Sequence, residues 1–145
     1  MFSGLWEQWL SKGWRAICKF FGRRQRGPSK KDLDRQGERI AEEFLKKAGY
    51  KILGRRVHLG QVEVDLLAME ENVLVAVEVK TRTHKSQLVA FWQIHAGKRR
   101  RLKRALEAAA KKMGQGLLGV RCDVILVIVR GSARPEIIHY KNVPL

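Results

Sequence analysis

Two short segments rich in branched apolar residues, Val62 to Met69 and Val73 to Lys80, constrain this chain more than any other feature. Only the polar stretch Glu70-Glu71-Asn72 separates them, and runs of this kind joined by so short a connection read as a β-hairpin. Each segment carries charged residues two positions apart: Glu63 and Asp65 on the first, Glu78 and Lys80 on the second. A tight turn at Glu71-Asn72 sets Glu70 opposite Val73. Counting back from that pair predicts Asp65 opposite Glu78 and Glu63 opposite Lys80. A four-residue loop gives the same register, whereas a three-residue loop needs a bulge. Directly opposed residues share a face, with Cβ atoms about 5 Å apart. All four polar groups are therefore expected on one face.

The surroundings make that convergence costly. Val62, Val64, Leu66 and Ala68, with Val73, Val75, Val77 and Val79, are expected on the opposite face, and Leu74 and Ala76 on the carboxylate side. Strands apolar on both sides are interior to a sheet. Two acids on such strands repel each other unless something positive lies between them. Lys80 supplies part of that charge, and a hard cation such as Mg²⁺ or Mn²⁺ would supply more. The plainer alternative is a solvated strand face with cross-strand ion pairs.

The rest of the chain gives a mixed α/β order. Asp32 to Ala48 predicts a helix with Ile40, Ala41, Phe44 and Leu45 on one stripe, started by aspartates and stopped by Gly49. Lys51 to His58 reads as a strand before the hairpin. Gln93 to Met113 predicts a second helix, with Ile94, Leu102, Ala105, Leu106, Ala109 and Met113 inward. Arg121 to Val129 reads as a buried strand and Glu136 to Tyr140 as a short last one, with a glycine-rich loop at Met113 to Gly119. At 145 residues the chain holds one core. The expected organisation is an N-terminal segment over residues 1–31 and a single domain over 32–145.

Thirty Lys and Arg against fourteen acids give a net charge of +16, which points to a polyanion or an anionic surface. From Val79 through Leu106 there are nine basic residues and no acid. Arg82, Lys98, Arg99, Arg100 and Arg101 are the candidate nucleic-acid contacts. Like charges three and four apart on a helix repel, and phosphates would relieve that. Nothing resembles a base-reading element, so contact with backbone and shape is expected. Nucleic acid, DNA or RNA, is the expected partner. Cys18 and Cys122 lack any Cys-x-x-Cys or Cys/His clustering, which argues against a zinc site or a disulfide scaffold and suits a reducing cytoplasm. His58, His84, His95 and His139 follow no metal spacing, although His84 and His95 flank the candidate site.

Residues 1–21 place Trp6, Trp9, Leu10, Trp14 and Ile17 at helical spacing, with Lys12, Arg15 and Lys19 opposite. That pattern is an amphipathic helix suited to a membrane surface or a protein partner. A basic linker with Gly27-Pro28-Ser29 follows it. Cytoplasmic residence, peripheral at the inner membrane face, is the matching expectation.

An acid followed by Glu-x-Lys on the next strand resembles the PD-(D/E)xK nuclease superfamily. More narrowly, the chain from about Gln36 onward resembles the UPF0102 (YraN-like) family. The strings that carry the likeness are Gly37-Glu38 with Ala41, Leu45 and Gly49-Tyr50; Glu63-Val64-Asp65-Leu66-Leu67-Ala68; Val77-Glu78-Val79-Lys80-Thr81-Arg82; Lys98 with its basic run; and Arg121-Cys122-Asp123-Val124. Val62 stands where that family has glycine, Arg56 where it usually has asparagine, and Cys122 where it usually has phenylalanine. The resemblance implies a restriction-endonuclease-like α/β (α+β) core: a central mixed sheet, a hairpin carrying the site, and helices on both faces. It implies Mg²⁺- or Mn²⁺-dependent hydrolysis of phosphodiesters in DNA, including branched or repair intermediates. Asp65, Glu78 and the Val79 carbonyl would hold the metal and Lys80 would assist, with Glu63 and Glu38 nearby. A homodimer would suit cutting of two strands, and a non-catalytic nucleic-acid-binding accessory protein is the alternative.

Overall fold

The computed structural model describes residues 29–83 and 96–145. The expected N-terminal amphipathic helix, its linker up to residue 28, and His84 and His95 lie outside the described residues.

Helix α1 spans Lys30–Lys47 and starts two residues earlier than predicted, because Ser29 rather than an aspartate caps it. The Ser29 hydroxyl accepts from the Asp32 amide at 3.3 Å and donates to the Asp32 carboxylate at 2.6 Å. This satisfies one of the free amides at the helix start. At the other end Gly49 takes φ +90°, a conformation open to glycine. The Gly49 and Tyr50 amides then close back on the carbonyls of Lys46 and Leu45.

Five strands follow in one sheet: β1 (Lys51–Leu59), β2 (Val62–Glu70), β3 (Val73–Arg82), β4 (Gly119–Ile128) and β5 (Glu136–Tyr140), with helix α2 (Ala96–Met113) between β3 and β4. They lie side by side in chain order. All neighbouring pairs are antiparallel except β3 and β4, which are parallel. A parallel pair needs a crossover, and α2 lies in it. The result is the mixed sheet expected for a restriction-endonuclease-like core.

Each face of the sheet carries one helix. Ala41 and Leu45 of α1 pack on Leu66, Ala68, Val75, Val77, Val79, Ile125 and Val127. Leu102 and Leu106 of α2 pack on Val62, Val64, Leu67, Leu74, Ala76 and Cys122. Met113, expected inward, is 49% exposed; the inner stripe of α2 continues through Ala109 and Ala110 instead.

A second correction bears on the site. Val62 and Val64 belong to the α2 side and Leu66 and Ala68 to the α1 side, although regular alternation would put all four together. The β1–β2 ladder runs from Arg55↔Leu66 to Val57↔Val64 and skips the pair between them, Arg56 with Asp65. Arg56 has φ +48°. Both strands change face across this one rung.

Beyond Asp65 on the α1 face, a polar network ties β2, β4, β5 and α1's end together. Asp123, fully buried, accepts from Arg121 at 2.7 and 2.9 Å, from the Asn142 amide at 2.9 Å, and lies 2.9 Å from His139 Nε2. Burial pushes its pKa up, but the bonds from His139 and Arg121 more than offset this and hold the carboxyl below its ordinary range. Arg121 also reaches the Tyr50 hydroxyl and Glu70, which in turn holds Lys141 at 2.6 Å.

Candidate active site

The two-residue turn forms as predicted, with Glu70 opposite Val73, and the β2–β3 ladder continues as far as Leu66↔Val77. There it ends. The strands part at the level of Asp65 and Glu78, and the carboxylate of Asp65 fills the opening. Its Oδ2 accepts from the Val79 amide at 2.7 Å, taking the place of a ladder partner. Because the N–H and C=O of one strand residue point to the same side, the Val79 carbonyl faces the same opening.

Glu78 approaches from the α2 side. It is 9% exposed, and its Oε1 accepts from Lys80 at 2.6 Å and from Lys98, on the first turn of α2, at 3.0 Å. Burial pushes the Glu78 pKa up, but the two ammonium groups outweigh it and hold the carboxyl below its ordinary range. Asp65 has no such escort. Burial and then the Glu78 charge raise its pKa to about 6, against the smaller opposing pull of the Val79 amide and Lys80. Of the two acids, Asp65 carries the electrostatic penalty.

Glu38 completes the surroundings from α1. Its charge adds to the rise at Asp65, and its carboxylate is gripped by Arg56 through two bonds of 2.8 and 3.1 Å. Gly37 explains how α1 comes so near. A Cβ at that position would fall 1.9 Å from the Thr81 hydroxyl oxygen, so only glycine lets the helix settle on β3 beside Lys80. The Gly37–Thr81 contact went unread in the sequence, although a glycine inside an otherwise good helix was a signal of close approach.

The structure therefore brings Asp65, Glu78, Val79, Lys80, Lys98 and Glu38 together, but not on one strand face. Glu63 is the exception. Its side chain is 52% exposed and lies 3.8 Å from His58, its cross-strand neighbour. The expected Glu63–Lys80 pair does not form, because the β2–β3 ladder has already ended and Lys80 is engaged by Glu78. Arg82 donates to the Thr81 carbonyl at 2.8 Å, Arg99 is half-buried, and Arg100 and Arg101 are exposed on α2. Lys98, expected on nucleic acid, is committed to Glu78.

Among the described residues no three His, Cys, Asp or Glu side chains converge on one ion position. The donor set is two carboxylates and a backbone carbonyl. These hard oxygen donors suit Mg²⁺ or Mn²⁺, and the unescorted charge of Asp65 is what such an ion would neutralise. Behind the site the Cys122 thiol is buried, with its pKa pushed up to about 12 by burial first and by Glu78 next. It has the character of packing rather than of a nucleophile.

No described helix is long and apolar enough to cross a membrane. The sequence pattern of the family described as "Uncharacterised protein family UPF0102" matches residues 37–127, which include every acid of the site. A UPF0102 protein of Rhizorhabdus wittichii is 41% identical over 109 residues, covering 75% of this chain and 87% of the relative. One of Desulfosudis oleivorans is 37% identical over 99 residues, or 68% and 80% of the two chains. Another, of Leifsonia xyli, is 33% identical over 114 residues, covering 79% and 97%. The family pattern thus spans the splayed strands, Asp65, Glu78 and the part of α1 bearing Glu38, and the chain belongs to the UPF0102 family.

Proposed function

We propose that this protein is a metal-dependent nuclease that hydrolyses phosphodiester bonds in DNA. The observation that carries the reading is the half-buried Asp65 carboxylate, which no basic side chain pairs, beside the Val79 backbone and a Glu78 tied to the first turn of a strongly basic helix. Asp65, Glu78 and the Val79 carbonyl would hold Mg²⁺ or Mn²⁺, which when bound supplies Lewis-acid activation of water and offsets charge on a phosphoryl group. The Lys80 ammonium, held on Glu78 at 2.6 Å, would orient a water or stabilise negative charge developing on phosphate oxygens. Exposed Arg100 and Arg101 would hold the backbone of the substrate.

One observation favours a second reading, a nucleic-acid-binding protein without catalysis: Glu78 is already neutralised by two lysines. Incubating the purified protein with linear, branched and single-stranded DNA, with and without Mn²⁺, separates the two. The nuclease reading expects Mn²⁺-dependent cleavage that Asp65→Ala abolishes and that Lys80→Ala lowers about 10²–10³-fold. Cleavage indifferent to Asp65→Ala belongs to a contaminant, and no cleavage of any substrate leaves the binding role. Preferential binding of RNA in competition would move the target away from DNA.

A further inference from the structure

A groove of about 250 Å³ runs along the α1 side of the sheet, lined by Arg35, Glu38, Arg39, Glu42, Arg55 and Arg56. Its acids are already matched. Glu38 is held by Arg56, and Glu42, 4% exposed, by Arg55 and by Lys46 at 2.7 Å. Arg35 and Arg39 are different. They stand one helical turn apart, both exposed, and neither makes an ion pair among the described residues. Like charges at that spacing repel, and apart from the nearby charge of Asp32 acting on Arg35, α1 carries a cationic pair without ion-pair partners on the rim of a groove whose carboxylates are committed elsewhere.

Arg56, which lines the groove, stands across from Asp65 at the rung that the β1–β2 ladder skips. Arg56 feels the charges of Glu63 and Asp65, and Glu38 in its floor acts on Asp65. It lies on the opposite face of the sheet from α2, whose basic residues were expected from the sequence to contact nucleic acid. Guanidinium forks match phosphate oxygens in two-point fashion, which makes arginine the suitable residue for such a track.

We propose that this groove is a second track for the sugar–phosphate backbone, holding the strand that leads away from the site on the α1 side, with Arg35 and Arg39 as its free phosphate contacts. The inference rests on the nucleic-acid reading above, but not on catalysis. It makes the site straddled, with phosphate contacts on both sides of the sheet end.

The test is a fluorescence-anisotropy titration of duplex DNA by the full chain in chelator, repeated across salt concentrations, with Arg35→Gln/Arg39→Gln against wild type. Arg35→Gln alone serves if the double variant loses its fold. Lys111→Gln/Lys112→Gln removes the same charge from the last turn of α2, about 20 Å along that helix from Lys98. The proposal expects the slope of log affinity against log salt to flatten by about 2 in the groove variant, roughly 0.9 per lost phosphate contact. Affinity should fall about tenfold further than in the lysine control. A groove variant that tracks the control overturns the second track while leaving the nucleic-acid reading intact. Wild-type protein that binds no DNA overturns both.

Discussion

The Asp65 carboxyl takes up a proton more readily than an ordinary aspartate, because burial and then the Glu78 charge disfavour its ionised form. With a folded value of about 6 against 3.8, the native state holds the extra proton between those pH values. Stability therefore falls as pH rises through that window, by about 3 kcal/mol once it is passed. Asp65→Asn removes the charge and keeps an oxygen for the Val79 amide. At pH 7.5 without metal, the variant should unfold about 1–2 kcal/mol less readily than wild type in a denaturant titration. Added Mn²⁺ should raise the wild-type melting temperature and leave that of the variant unchanged. A variant that gains as much from Mn²⁺ removes Asp65 from the ion's ligands. The nearness of Asp65 to Glu78 was legible from turn length, which sets the two at one level of the hairpin, whereas their sharing of one face, expected from the two-residue period, does not hold. The exile of Glu63 was not legible. It depends on the face change at Arg56, a backbone rotation to φ +48° that no side-chain period announces. An asparagine there, the usual residue of the resembled family, adopts such angles more easily than arginine.

At the scale of elements, the seating of α1 on β3 decides whether Glu38 reaches the site at all. Glycine within a helix costs about 1 kcal/mol relative to alanine, so ordinary helix physics says Gly37→Ala should stabilise. The contact geometry says the reverse. A Cβ 1.9 Å from Thr81 Oγ1 must drive the helix off the strand, and overpacking of this kind costs about 1–3 kcal/mol. Thr81 Oγ1 is buried without a hydrogen-bond partner among the described residues, so its removal should be cheap. Gly37→Ala/Thr81→Ala should accordingly recover part of the loss, measurable as a coupling in a double-mutant cycle by chemical denaturation. Strictly additive effects would refute the collision. Helix ends and strand positions were largely readable here: Gly49 stops α1 and Glu136–Tyr140 forms β5 as the residue patterns predict. What escaped was the depth of contact between layers, because periodicity tells which side of a helix faces inward but not how near it comes.

Across the whole molecule, the network around Glu70 and Asp123 joins segments up to 71 residues apart in sequence. Burial would raise the Glu70 pKa, but bonds from Lys141, Arg121 and Tyr50 pull it down to about 2 from 4.5. A depressed carboxyl stabilises the fold above pH 4.5, and that contribution disappears as pH falls towards 2. Glu70→Gln should therefore flatten the acid limb of the stability–pH curve in that window and lower stability at pH 7 by about 1–3 kcal/mol, read by urea unfolding. An unchanged acid limb would place the acid sensitivity elsewhere. The sequence marked Arg121 and Asp123 only through resemblance, since their partners come from β2 and β5 and no local spacing encodes them. The same breadth of scale gives meaning to the one-rung face change between β1 and β2. On one side of that rung the hairpin tip leans on α2; on the other its even-numbered residues lean on α1. The acid at that rung, Asp65, thus stands where the packing against one helix gives way to packing against the other. If the proposed reading holds, a polyanion held along α2 and an ion seated at Asp65 would be mechanically joined, as load and lever.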